Sequence, residues 1–211
     1  MRKFMTIIDN LLTETIHLDG FAELTKTSDT FRQFLLKADS KFMDVLYRGH
    51  MENSVSNHSF MTDSISHAEE YGRDGKVDAF AYDPSDVMFF NDAVFNELRT
   101  HYRKLSPLAF KQAYKEALTG NPYAGEFDYW FPIVKKIIRS DVQYEKNISW
   151  DFEKNNALVP LMTQYAANHG KTIIAFLGGD YADYGGQNEF VVADMSKLID
   201  LRNLYDQVKS Q

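Results

Sequence analysis

Two kinds of periodicity alternate along this 211-residue chain, and their order narrows what it can fold into. Short apolar runs rich in β-branched and aromatic residues, the composition of strands, stand early: Val45-Leu46-Tyr47, Phe60-Met61 and Val77 to Tyr82. Two more stand late, Thr172 to Leu177 and Phe190 to Ala193. Between them the pattern turns helical: Val94, Leu98, Tyr102 and Leu105 form one stripe, and Leu108, Ala109, Tyr114 and Leu118 another, with Pro107 suited to a first turn. This reads as an α+β domain with a helical insertion over about 91–150.

Helices are also expected at both ends. Ile7, Leu11, Leu12 and Ile16 are amphipathically spaced, as are Phe31, Phe34, Leu35, Phe42 and Leu46, with Ser28 or Asp29 as cap. Thr62 or Asp63 caps a short helix, Ser64 to Tyr71, which Gly72 stops in the left-handed conformation. Gly120-Asn121-Pro122 breaks the chain, and Tyr123 to Trp130 reads as an aromatic loop before a helix from Ile133 to Ile138. Asn156 to His169 is a further helix closed by Gly170, and Leu198 to Val208 is the last. No internal repeat is visible.

The length fits one domain, 1–211, and 44% apolar with 14% aromatic residues argues against disorder. No run reaches the roughly 20 apolar residues of a membrane helix, and Asp9 and Glu14 interrupt the stretch behind Met1-Arg2-Lys3-Phe4, so the expected location is cytoplasmic, with no membrane partner. The absence of cysteine excludes disulfides, thiol catalysis and thiolate zinc sites. The net charge of −7 is unevenly spread. Residues 99–139 hold eight Lys/Arg and three acids, 8 − 3 = +5, leaving −12 elsewhere. That segment either steers an acidic partner or is the solvated surface of helices.

Three stretches carry candidate chemistry. The first is Tyr47-Arg48-Gly49-His50, where an apolar run ends in arginine and Gly49 admits close approach. The second runs from Thr62-Asp63-Ser64 into the helix ending at Tyr71, and the third is Gln187-Asn188-Glu189 at the start of a strand. Each has an ordinary alternative: Arg48 a surface ion pair, Thr62 or Asp63 a cap, Tyr71 a core aromatic, Glu189 an exposed carboxylate. No metal is expected. His50, His58 and His67 lack the i, i+4 spacing of a helical zinc site, and the acids between 178 and 194 lack the alternation of a calcium loop. Glu69 and Glu70 are adjacent and point about 100° apart on a helix, so they form no dyad.

Taken in order, the three stretches resemble the motifs of the mono-ADP-ribosyltransferase family, including its small phage and toxin-like branches, over residues 44 to 194. Arg48 matches the first-motif arginine of the arginine-serine-glutamate branch, and its setting also looks like the Tyr-His-Gly of the histidine branch with arginine substituted. Thr62-Asp63-Ser64 stands where the family has Ser-Thr-Ser, and Gln187-Asn188-Glu189 looks like its Gln-x-Glu. The resemblance implies a split-sheet core, NAD as substrate, and transfer of ADP-ribose to a macromolecule, protein rather than nucleic acid. It makes Glu189 the catalytic residue that stabilises an oxocarbenium-like transition state, with Gln187 meeting the acceptor. Arg48 and Gly49 hold the pyrophosphate, Tyr71 stacks on nicotinamide, and a hydroxyl at Thr62 or Ser64 braces the glutamate or the carboxamide. By analogy the chain suits a phage or mobile-element effector acting in a bacterial cell. The same pocket also fits an NAD-hydrolysing toxin, and the departures in the second motif fit a catalytically inactive relative that binds or inhibits a partner.

Overall fold

The computed structural model describes residues 23–39, 44–49, 59–72, 76–119, 124–149, 151–176 and 188–210. The expected N-terminal helix around Ile7, the residues His50 and Gln187, the break at Gly120-Asn121-Pro122 and the glycine-bracketed loop before Glu189 lie outside them. The described chain is α+β, built on a seven-stranded sheet.

The first helix, α1 (Phe31–Asp39), is capped by Thr30, not by Ser28 or Asp29. The Thr30 hydroxyl accepts from the Gln33 amide at 3.2 Å, while the Gln33 side chain accepts from the Asp29 and Thr30 amides at 3.1 and 3.3 Å. This reciprocal box satisfies amides that the helix itself leaves unbonded. The helical pattern does not run on to Leu46. The strand β1 (Val45–Gly49) follows, then β2 (Ser59–Thr62) and α2 (Ile65–Tyr71). The cap of α2 is Ser64, whose hydroxyl accepts from the His67 amide at 3.4 Å, because Thr62 is still in the sheet. Gly72 ends that helix at φ −76°, an extended and not a left-handed conformation; a Cβ there would lie 2.2 Å from the Lys76 carbonyl oxygen. Among the described glycines only Gly170, after the long helix, has a positive φ, +70°.

The chain continues through β3 (Val77–Ala81) and β4 (Val87–Phe89) into α3 (Asp92–Arg103) and α4 (Pro107–Ala117). The next helix, α5 (Phe127–Arg139), already includes the second half of the expected aromatic loop, so Phe127, Tyr129 and Trp130 are helical. Then come α6 (Tyr144–Asn147), α7 (Phe152–Asn168), β5 (Ile173–Phe176), β6 (Glu189–Val192), β7 (Ile199–Asp200) and α8 (Leu201–Lys209). The short strands β4 and β7 go beyond the sequence reading. Three and two residues are too few for a period to show.

The strands lie in the order β4-β5-β6-β2-β1-β3-β7, with β4 and β5 parallel and the other neighbours antiparallel. β1 and β2 meet at Tyr47 opposite Thr62, whereas β2 and β6 pair over four positions and β1 and β3 over five. The sheet is thus narrowly joined in the middle. Partners across a ladder share a face. One row of partners therefore crosses five strands on one face: Phe176, Glu189, Thr62, Tyr47 and Ala79.

Both ends of that face are covered by helices. Over β5 and β6, the helices α3 to α7 enclose a core of Leu98, Phe110, Tyr114, Val134, Ile138 and Leu161 that reaches down to Ile174 and Val191. Over β1 and β3, the helices α1, α2 and α8 bury Phe34, Leu35, Ala68, Leu201 and Tyr205 against Val45, Tyr47 and Ala79. The opposite face carries Leu46, Met61, Phe80, Ile173, Phe190 and Val192.

The basic segment is largely committed to this architecture. Arg99 donates to the Ser140 and Val142 carbonyls, Arg103 to that of Ile138, and Arg139 to those of Arg103 and Leu105. The carbonyls of Arg103, Ile138 and Ser140 are at helix ends and need donors, and those of Leu105 and Val142 lie in the connections that follow. Lys111 and Lys115 lie over the Phe127 ring. Lys104, Lys135 and Lys136 remain exposed, with no ion pair among the described residues.

Candidate active site

The middle of the helix-bearing face is where polar groups collect. Strand β2 delivers Thr62 to the central row, and the chain then turns sharply: the Thr62 hydroxyl accepts from the Ser64 amide at 3.2 Å, and Ser64 starts α2. Helix α2 folds back over β1. Its last turn sits on Gly49, where a Cβ would come within 2.6 Å of the Ala68 carbonyl oxygen and the Gly72 nitrogen. The close approach that Gly49 permits is therefore taken up by helix backbone. This docking turns His67 and Tyr71, four residues apart and on one side of α2, toward the same flank of the helix. Their rings meet edge-on at 5.0 Å.

Glu189 opens β6 in the central row, between Phe176 on β5 and Thr62 on β2. Burial pushes its carboxyl above the usual carboxylate range, and the charge of His67 acts in the opposite direction. The carboxylate has no hydrogen bond and no ion pair among the described residues. A partly buried, desolvated carboxylate without a partner costs stability and is a mark of functional sites. Around it Thr62 is 5% and His67 7% exposed, while Phe60, in the same face two positions before Thr62, is 44% exposed and Tyr71 49%. Two accessible aromatic rings thus accompany a buried polar floor. Next to Glu189, Asn188 donates to the Asp63 carboxylate at 2.6 Å and ties the start of β6 to the turn after β2.

The sequence-derived candidates divide into groups. Thr62 and Glu189 are register partners on this face, Ser64 is occupied as the cap of α2, and the Tyr71 ring meets that of His67, whose charge acts on Glu189. Gly49 lies beneath α2. Arg48 points to the other face, where its guanidinium donates to Asp78 at 2.7 and 3.2 Å and lies 5.5 Å from the centre of the Phe80 ring. Alternation explains this, since Tyr47 belongs to the central row and its neighbour must face away. Gln187 is outside the described residues. Two contributors were not picked out beforehand, His67 and Phe60. His67 was visible only as part of a rejected metal set, although its spacing of four from Tyr71 puts both on one side of a helix.

Among the described residues no three His, Asp or Glu side chains cluster to hold a metal ion, and no helix is long and apolar enough to cross a membrane. No protein-family model, curated protein or solved structure matches the chain.

Proposed function

We propose that the chain is an ADP-ribosyltransferase that cleaves the nicotinamide glycosidic bond of NAD and passes ADP-ribose to a macromolecule. The observation that carries this reading is Glu189: a desolvated carboxylate with no hydrogen bond or ion pair among the described residues, opposite Thr62, where the sheet is narrowly joined, and within the electrostatic reach of His67, whose ring meets that of Tyr71. When the bond between the ribose anomeric carbon and nicotinamide breaks, its electrons leave with nicotinamide and the ribose becomes cationic. A fixed negative charge in a drier environment stabilises that cation more than water does. The acceptor nucleophile then bonds to the anomeric carbon and gives up its proton. Tyr71 supplies an accessible ring for nicotinamide and the Thr62 hydroxyl a hydrogen bond beside the carboxylate.

A second reading, an inactive relative that binds a partner, is favoured by Arg48, which is held by Asp78 on the far face. Incubation with NAD labelled in the adenylate separates the outcomes. Label on a macromolecule supports transfer, free ADP-ribose supports hydrolysis alone, and intact NAD supports the binding reading. Glu189→Gln should reduce turnover by about 100- to 1000-fold, the usual loss for one preorganised electrostatic contact. Wild-type activity should climb as pH rises through the elevated Glu189 value, since the ionised form is required. Near-normal turnover in a folded Glu189→Gln protein would remove Glu189 from the mechanism.

A further inference from the structure

A concavity lies on the side of α2 away from His67 and Tyr71. It is a cavity of about 330 Å³ between α1, α2, β3 and α8, lined by Phe31, Leu35, Ile65 and Val77 with Arg32, Lys76 and Arg202 and the acids Glu69 and Asp78. Ile65 and Glu69 are four apart on α2, about 200° around the helix from the His67 and Tyr71 side, so the cavity lies on the opposite side of α2 from those two rings.

The charges around it do not balance. Glu69 is taken by Arg32, whose Nε and Nη2 donate to its two oxygens at 2.6 and 3.1 Å. Asp78 is taken by Arg48, which does not line the cavity. That leaves two cations. Lys76 makes no ion pair among the described residues, and the Arg202 guanidinium lies 3.7 Å over the Phe31 ring without a carboxylate partner. An arginine held over an aromatic face by cation–π attraction still has N–H donors to offer, which suits it to an anion. The floor beneath these cations is apolar. The volume falls at the lower end of the range for small-molecule sites.

We infer that this cavity binds a small organic anion: an apolar body on Leu35, Ile65 and Val77, with its carboxylate, sulfonate or phosphate between Lys76 and Arg202. The inference is independent of the reaction at Glu189. The probe pair for its test is 8-anilinonaphthalene-1-sulfonate and its uncharged counterpart N-phenyl-1-naphthylamine, titrated by fluorescence into the full chain. The sulfonate should bind saturably. Reversing both cations, Lys76→Glu with Arg202→Glu, should weaken it about tenfold or more, the order expected for two exposed charge contacts turned repulsive, while the neutral probe binds as before. Both positions are exposed, and a glutamate at the start of α8 favours the helix and offsets part of the lost Arg202–Phe31 contact, so the variant should fold with a modestly lower melting temperature. Should it not fold, Lys76→Gln alone serves, with a weakening of about threefold for the sulfonate only. Unchanged sulfonate affinity in a folded variant, equal loss for both probes, or no saturable binding to the parent would overturn the site.

Discussion

In the helical block, buried polar groups are paired: Tyr114 donates its hydroxyl to the Ala157 carbonyl, Tyr144 to Asn155 and Tyr102 to Gln164, each at 2.9 Å. Around them Leu98, Val134, Ile138 and Leu161 are fully buried. Around Glu189 on the sheet, by contrast, the carboxylate is desolvated without a hydrogen bond or ion pair among the described residues, while Phe60 and Tyr71 stay exposed. The first region is arranged for stability, and the second gives some of it up. Local misfit of this kind is what separates a site from a core when both are built of the same apolar and aromatic residues.

The sharpest way to break the contrast is to damage the block alone. Leu98→Ala removes a side chain with 0% exposure and should cost about 2–5 kcal/mol in denaturant unfolding. Under the proposed function, NAD turnover by the folded fraction should be unaffected, because Leu98 belongs to the core under α3 to α7 and that cluster contains neither Glu189 nor Thr62. A loss below about 1 kcal/mol would mean that the block is loosely packed. Gly49→Ala tests the junction between the regions and should have a smaller effect. The added Cβ meets helix backbone at 2.6 to 2.7 Å, and backbone cannot swing aside as a side-chain tip can. Overpacking of this sort costs about 1–3 kcal/mol. It should also displace α2 and with it Tyr71, so NAD turnover should fall along with stability. Unchanged melting would show that α2 does not rest on β1 as described.

What the sequence disclosed and what it hid follow the same division. Val94, Leu98 and Tyr102 could be read as one stripe because a helix repeats its buried face every three to four residues, and α3 buries Leu98 and Tyr102 as expected. Val45 to Tyr47 and Thr172 to Leu177 were legible as strands for the analogous reason, apolar runs bounded by turn residues. Caps were placed one or two residues off at Thr30 and Ser64, since neighbouring Ser, Thr and Asp side chains compete for the same amides. The direction of Arg48 could not be read locally. Alternation says that Tyr47 and Arg48 face opposite ways, but which face holds Glu189 is decided by the pairing of Tyr47 with Thr62 and of Thr62 with Glu189, contacts spanning 15 and 127 residues. His67 was hidden likewise: its place beside the glutamate depends on α2 folding back over β1.

The smallest expected effect bears most directly on the contrast, because it asks whether the buried Glu189 costs the protein stability. Burial raises the Glu189 carboxyl above its ordinary value, so between that value and the raised one the folded state holds a proton that the unfolded state has released. Stability from this group is then lost as pH rises through the window, and above it the full cost of burying the charge is present. Glu189→Gln removes the charge and keeps the shape. The variant should therefore melt at a higher temperature than the parent at neutral pH, and the two melting curves should converge as pH falls below the ordinary carboxylate range, where both side chains are neutral. His67 works against the effect, because its positive charge when protonated favours the ionised glutamate, so pairing the substitution with His67→Asn should change the size of the difference. Thermal melting of parent and variant between about pH 3 and 8, spanning the ordinary carboxylate and histidine ranges, measures it. A difference that stays constant across that range, or a variant less stable at neutral pH, would show that the glutamate is compensated in the folded chain and that its place on the sheet is no less settled than the helical core.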